Sequence, residues 1–286
     1  MDLHNLFVFQ DLFNDDVFRD IEKTISRENL NKGSVAAKLI NKAEQLGLSG
    51  NIIRSYMIYT VAHQSNCVSY AVEKSGGKIG KSLYQAFCHD IELIEKLLLL
   101  KPSLLLDCDL LDDYEPTNIN QSTAFNLLVE NLDKAQTSKD KADVFINYYR
   151  IFGSGDMADY RAFRWDRDED SLVGIKHFET MKLQDLIGYE YQKQELLANT
   201  KAFVEDKPAN NVLLVGARGT GKSSGVKAVV NSFFDKGLRL VQLTKEQLID
   251  VPVIMERLRV FSSKKFIIFL DDLFFDGYYW TRYLYR

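Results

Sequence analysis

Apolar positions recur every three to four residues along most of the first 150 residues, which is the signature of amphipathic helices. Asp15-Asp16-Val17-Phe18-Arg19-Asp20-Ile21 opens with acids and then falls into that rhythm, as a helix start does. Residues 34–46 repeat it with Val35, Leu39 and Leu46. The longest stretches are 52–72 and 82–100. Lys101-Pro102 closes the second of these, because proline pushes its predecessor out of the helical region. Helices over 121–132 and 141–151 complete a mostly α-helical domain at 1–151.

Phe152-Gly153-Ser154-Gly155-Asp156 breaks the rhythm. Residues 160–167 and 171–175 read as short strands around the acidic turn 166–170, within a linker at 152–182. From Leu183 onward helical and extended patterns alternate. A helix is expected at 190–203, and the unbroken apolar run 211–215 fits a strand buried on both faces. A helix over 221–234, a strand over 238–243, a helix over 245–261 interrupted near Pro252, and a strand over 266–270 follow. Such alternation predicts parallel βαβ units.

Composition adds limits. Hydrophobic residues make up 46% of the 286-residue chain, enough for one or two real cores. The formal net charge of −4 supplies no global attraction to nucleic acid or to an anionic membrane. Cys67, Cys88 and Cys108 have no framework spacing and read as reduced thiols. The N-terminal stretch carries acids early and lacks a basic segment, so a signal peptide is not expected. The apolar stretch 93–106 is broken by Glu95, Lys96, Lys101 and Pro102 and is too short to span a bilayer. A cytoplasmic setting without membrane contact follows from these readings.

The chemistry concentrates in the loop 216–224, where Gly216-Ala217-Arg218-Gly219-Thr220-Gly221-Lys222-Ser223, followed by Ser224, fits G-x-x-x-x-G-K-[ST]. A chance match in a chain of this length is on the order of one in a hundred. The run 211–215 leads in, and a helix carrying Val226, Val229, Val230 and Phe233 leads out. Glycines let several backbone N–H groups turn toward one anion, at the positive end of the helix. Lys222 is placed to reach the β- and γ-phosphates and Ser223 to ligate magnesium. A plain glycine-rich turn would leave the Lys222-Ser223 pair unexplained.

Residues 266–270 run into Asp271 and Asp272. In phosphate-loop nucleotide hydrolases the first acid joins the magnesium shell, which assigns Asp271 to that role. Asp272 is the candidate general base. Asn-Lys-x-Asp, which reads guanine, does not follow the loop, and that favours adenine.

Leu183-Gln184-Asp185-Leu186-Ile187-Gly188-Tyr189-Glu190 resembles the segment before the phosphate loop of AAA+ ATPases. Together with the stretch from Lys207 to Leu214, Ala162-Phe163-Arg164-Trp165 and Phe269-Leu270-Asp271-Asp272-Leu273, it resembles an uncharacterised bacterial AAA+-like P-loop ATPase family (domain of unknown function 815). The resemblance is specific over about 160–273. It implies an α/β P-loop NTPase domain at 183–286, ATP and Mg2+ as ligands, and Ile187 and Gly188 beside adenine. An intact family fold orders its strands 5-1-4-3-2 and continues into further strands, a lid and an arginine finger. By that comparison the chain reads as C-terminally truncated after Leu273 with an incomplete parallel sheet, and its hydrolysis as slow or absent. The run 211–215 would then lack its natural neighbours. The aromatic-rich tail 274–286 follows neither rhythm.

Two other function classes remain open. One is a non-catalytic interaction protein whose helical domain docks a protein partner beside a vestigial nucleotide site. The other is a small-molecule kinase. Oligomers are implied for intact relatives. His63/Cys67 and Cys88/His89 suggest zinc only superficially, since adjacent helical residues point apart.

Overall fold

The computed structural model describes residues 3–28, 31–120 and 122–271. The chain divides into two compact units, Met1–Asp159 and Tyr160–Arg286.

The first unit is helical: α1 (Asp16–Ile25), α2 (Lys32–Leu46), α3 (Ile52–His63), α4 (Cys67–Ser75), α5 (Lys81–Leu98), α6 (Pro102–Leu106), α7 (Thr123–Lys134), α8 (Ser138–Ile151) and α9 (Asp156–Asp159). The acids that open α1 act through Asp15, whose carboxylate accepts the Phe18 amide at 2.8 Å. One expected helix, 52–72, is two. Asn66 Oδ1 accepts the amides of Val68 and Ser69, both at 2.9 Å, and so starts α4 afresh. The apolar rhythm runs across this break because both helices bury their apolar faces, so periodicity alone does not reveal it. At the end of α2, Gly47 sits at φ +66°, and a Cβ there would lie 2.5 Å from the backbone of Asn118 and Asn120.

Helices α3, α5 and α8 form the centre. These helices pack on one another and bury Ile53, Met57 and Val61 of α3, Phe87, Ile91 and Ile94 of α5, and Phe145 and Tyr149 of α8. The Tyr149 hydroxyl donates to Val61 O at 2.7 Å, which satisfies the one polar atom this side chain brings inside. Asp90, on α5, is also fully buried. Its carboxylate accepts three consecutive amides, Phe7 at 3.0 Å, Val8 at 2.7 Å and Phe9 at 3.1 Å. A buried carboxylate survives because those donors replace its water, and they clamp the N-terminal segment onto α5.

The second unit carries β1 (Ala162–Asp166), β2 (Ser171–Gly174), α10 (Glu190–Val204), α11 (Lys222–Phe233), β3 (Leu238–Leu243), α12 (Val251–Leu258) and β4 (Lys265–Leu270). The sheet order is β2-β1-β3-β4. β1 pairs antiparallel with β2, while β1–β3 and β3–β4 are parallel. Two expectations are corrected here. The sheet is mixed rather than purely parallel, and the short strands of the presumed linker 152–182 belong to it. Phe163 and Trp165 are buried, so β1 earns an interior place that a linker would not. α11 packs one sheet face through Val226, Val230 and Phe233 against Leu238, Leu240, Ile267 and Phe269. α12 covers the other through Ile254 and Leu258, against Trp165, Val241, Leu243, Phe266 and Ile268. This is an α/β unit. The third correction is residues 211–215, expected as a buried strand, which join no ladder. No helix among the described residues is long and apolar enough to cross a membrane.

Asp90→Ala strands buried amides, and a loss of about 3 kcal/mol in chemical denaturation is expected. Glu95 accepts from Lys141 Nζ and Ser138 Oγ, tying α5 to α8, and those bonds, the lysine first, hold its carboxyl below the ordinary range. A depressed carboxylate contributes stability that is present above its unfolded value of roughly 4.3 and is lost as pH falls through the folded one. Glu95→Gln should therefore flatten the acid limb of stability against pH.

Candidate phosphate-binding loop

The loop 216–224 takes its shape from two glycines. Gly219 (φ +82°) and Gly221 (φ +78°) lie in the left-handed region, where a side chain is strained. Gly221 is also the residue from which α11 starts. The Thr220 hydroxyl donates to Ala217 O at 2.9 Å and closes the turn. Residues 216–219 are exposed and 220–224 half-buried. Among the described residues no protein acceptor takes the backbone amides of 221–224, although Gly225 N already bonds Gly221 O at 2.7 Å, and residues 218–219 form a turn. A row of unspent, accessible donors at a helix N-terminus is a place where an anion fits.

Lys222 is the first residue of α11, and its ammonium folds back over the loop to donate to Gly216 O and Ala217 O, both at 2.8 Å. It is thus held on the loop rather than turned into solvent. The Ser223 hydroxyl donates to Asp271 Oδ1 at 2.7 Å. That bond joins positions 48 residues apart in sequence and sets the start of α11 beside the end of β4. A hydroxyl and a carboxylate in contact are oxygen ligands of the kind a hard divalent cation takes. Lys222, Ser223 and Asp271 are therefore gathered in one place, together with Gly216, Ala217, Arg218, Gly219, Thr220, Gly221 and Ser224. Asp272 lies outside the described residues.

Ile187 and Gly188 stand in the turn before α10. Gly188 has φ +80°, and the Ile187 side chain is 98% exposed. What brings their turn to the loop is the preceding residue. Leu186 lies 3.8 Å from the Cβ position of Gly221 and 4.0 Å from that of Gly225. Lys193 secures it by donating to Leu186 O at 2.7 Å. Leu196 lies 3.9 Å from the Cβ position of the buried Gly225, letting α10 approach α11 closely. Lys193 and Leu196 were not among the residues singled out in the sequence, and Leu186 was named only within the stretch 183–190. The signal that could have found them is Gly225, a glycine inside a helix, which marks a close approach.

His63, weighed in the sequence as a metal ligand, bonds Tyr59 O at 2.8 Å and Asp159 Oδ1 at 2.7 Å, within the helical unit.

Fold and site together define an α/β unit with a glycine-shaped loop at the start of α11 and a serine–aspartate pair beneath it. Residues 158–281 match a family described as "Protein of unknown function (DUF815)". The match runs past Leu273, where the motif resemblance stops, into the aromatic tail. No curated protein and no solved structure matches the chain.

The two left-handed glycines should be distinguishable from Gly216, which is not at positive φ and whose Cβ position meets the Thr220 hydroxyl at 3.3 Å and the Lys222 side chain at 4.0 Å. Gly219→Ala and Gly221→Ala are each expected to cost about 1–2 kcal/mol in urea denaturation, and Gly216→Ala less than about 0.5.

Proposed function

We propose that the second unit binds ATP with magnesium through residues 216–224. The observation that carries the reading is the Ser223–Asp271 contact, which sets a hydroxyl and a carboxylate beside a loop whose amides are accessible. In this reading the amides of the loop, at the positive end of α11, receive the phosphates. Lys222 moves from the carbonyls of Gly216 and Ala217 to the phosphate oxygens, exchanging two neutral acceptors for a charged one. Ser223 and Asp271 hold magnesium, which when bound neutralises charge on the phosphate oxygens. The turn at Ile187 and Gly188 receives the base, and the exposed Ile187 side chain supplies apolar surface for it. Asp272 is assigned the general-base role on its position next to Asp271 in sequence alone.

Titration with a fluorescent ATP analogue tests the reading. Lys222→Ala should weaken binding at least about tenfold, as expected for losing a charge-assisted contact. Ser223→Ala and Asp271→Asn should abolish the dependence on magnesium while leaving residual metal-free binding. Equal affinity in wild type and Lys222→Ala would refute the assignment. Phosphate release measured on the same samples separates an ATPase from a module that binds without turnover.

A further inference from the structure

The helical unit holds an open cleft of about 390 Å3, lined from the segment ahead of α1, from α2 and from the last turns of α3. That is within the range of small-ligand sites, roughly 300–1,000 Å3. Its walls are preformed. The Tyr56 hydroxyl donates to Asp15 Oδ2 at 2.7 Å, and the Thr60 hydroxyl to Tyr56 O at 2.9 Å. The Tyr59 ring stacks on His63 with 3.8 Å between centroids. Both nitrogens of His63 are already engaged, by Tyr59 O and by Asp159. Tyr56, Thr60 and His63 thus spend their hydrogen bonds inside the protein.

Other groups in the same cleft do not. Lys38 and Lys42 lie one turn apart on α2. Lys38 takes both nearby acids of α1, Asp16 at 3.1 Å and Asp20 at 2.6 Å. Lys42, half-buried and lining the cleft, makes no hydrogen bond or ion pair among the described residues. An ammonium has three N–H donors and no acceptor, so an anion is its natural complement. Gln64 shows a deficit of the opposite kind. Its Oε1 is buried and takes no donor, whereas buried carbonyl oxygens ordinarily have one. Gln64 also caps the C-terminus of α3, the negative end of that helix, which favours a cation. Asp11 adds a carboxylate whose donor among the described residues is Asn14 Nδ2 at 3.3 Å. Leu46 and the Tyr59 ring supply apolar surface between these polar groups.

We propose that this cleft binds a free amino acid with an apolar side chain. The ligand carboxylate meets the Lys42 ammonium, and the ligand ammonium meets Gln64 Oε1 and the Asp11 carboxylate. The ligand side chain lies on Leu46 and Tyr59. Each charge of the zwitterion then faces its complement, and neither Lys42 nor Gln64 is left unpaired. A plain carboxylate would leave Gln64 without a donor and face the carboxylates of Asp11 and Asp15. A plain amine would leave Lys42 unpaired and add a second cation beside it. The cleft lies wholly within the helical unit and stands apart from the nucleotide reading.

Isothermal titration of the full chain with leucine, isocaproate and isoamylamine tests this, since the last two are leucine without its ammonium and without its carboxylate. Leucine should bind at least about tenfold more tightly than either. Lys42→Met keeps the aliphatic stem and removes the charge. It should leave helicity and melting of the ligand-free chain unchanged while weakening leucine about tenfold or more. Gln64→Leu should narrow the preference for leucine over isocaproate. Equal binding of leucine and either analogue to the wild-type chain would overturn the proposal without recourse to any variant. So would unchanged leucine affinity in Lys42→Met, or absence of binding by valine, leucine and phenylalanine at millimolar concentration.

Discussion

The contact between the Ser223 hydroxyl and the Asp271 carboxylate is the point on which the second unit turns. It is a single hydrogen bond of 2.7 Å between a helix start and a strand end. For it to exist, α11 must begin where β4 finishes, and that requires α11 to lie along one face of the sheet with its N-terminus at the strand ends. The packing of Val226, Val230 and Phe233 against Leu240, Ile267 and Phe269 puts it there. Everything chemical in the unit follows from that placement. The loop amides, the lysine and the carboxylate come into reach of one another because a hydrophobic face fixes the helix that carries two of them. In α/β sheets this end, outside the carboxyl termini of the strands, is where ligands are received.

The helical unit is organised by a different kind of constraint. Its centre is an ordinary apolar meeting of α3, α5 and α8, but the N-terminal segment is attached by a buried carboxylate. Asp90 occupies a helix position whose neighbours, Cys88 and His89, invite a catalytic or metal reading. Its partners are the amides of Phe7, Val8 and Phe9 and a ring nitrogen of His89 at 3.1 Å. A carboxyl group at zero exposure is tolerated only where donors replace its hydration, and three backbone donors do so here. The residue is therefore architectural, and the neighbouring His89 stacks on Phe7 at 4.7 Å between ring centroids and helps close that same corner.

Much of this was legible in the sequence because it is local. The candidate phosphate loop is read from eight consecutive residues, and the φ values of Gly219 and Gly221 follow the need for left-handed backbone at those positions. β3 and β4 declared themselves as apolar runs, and the helices of the first unit as a periodicity. Less legible was the break at Asn66, where a side chain competes with the helix for backbone donors while the apolar rhythm continues. Leu196 and Lys193 escaped notice for another reason. Their importance comes from contact with α11, some thirty residues away in sequence, and nothing in their immediate neighbours encodes it.

The sequence by itself determined most of the helical segments (though not the break at Asn66), where the glycines of the loop must bend the chain, and that a lysine, a serine and an aspartate are present. Those properties depend on side-chain chemistry and on neighbours within a few residues. Tertiary structure alone decided which strands share edges. β1, set in a stretch that reads as a linker, gains an interior place because β3 offers it a ladder and the sheet buries Trp165. Residues 211–215, with the more persuasive strand composition, stand outside. A strand is completed only by hydrogen bonds to another segment, so its existence is a property of the sheet and not of the residues that would form it.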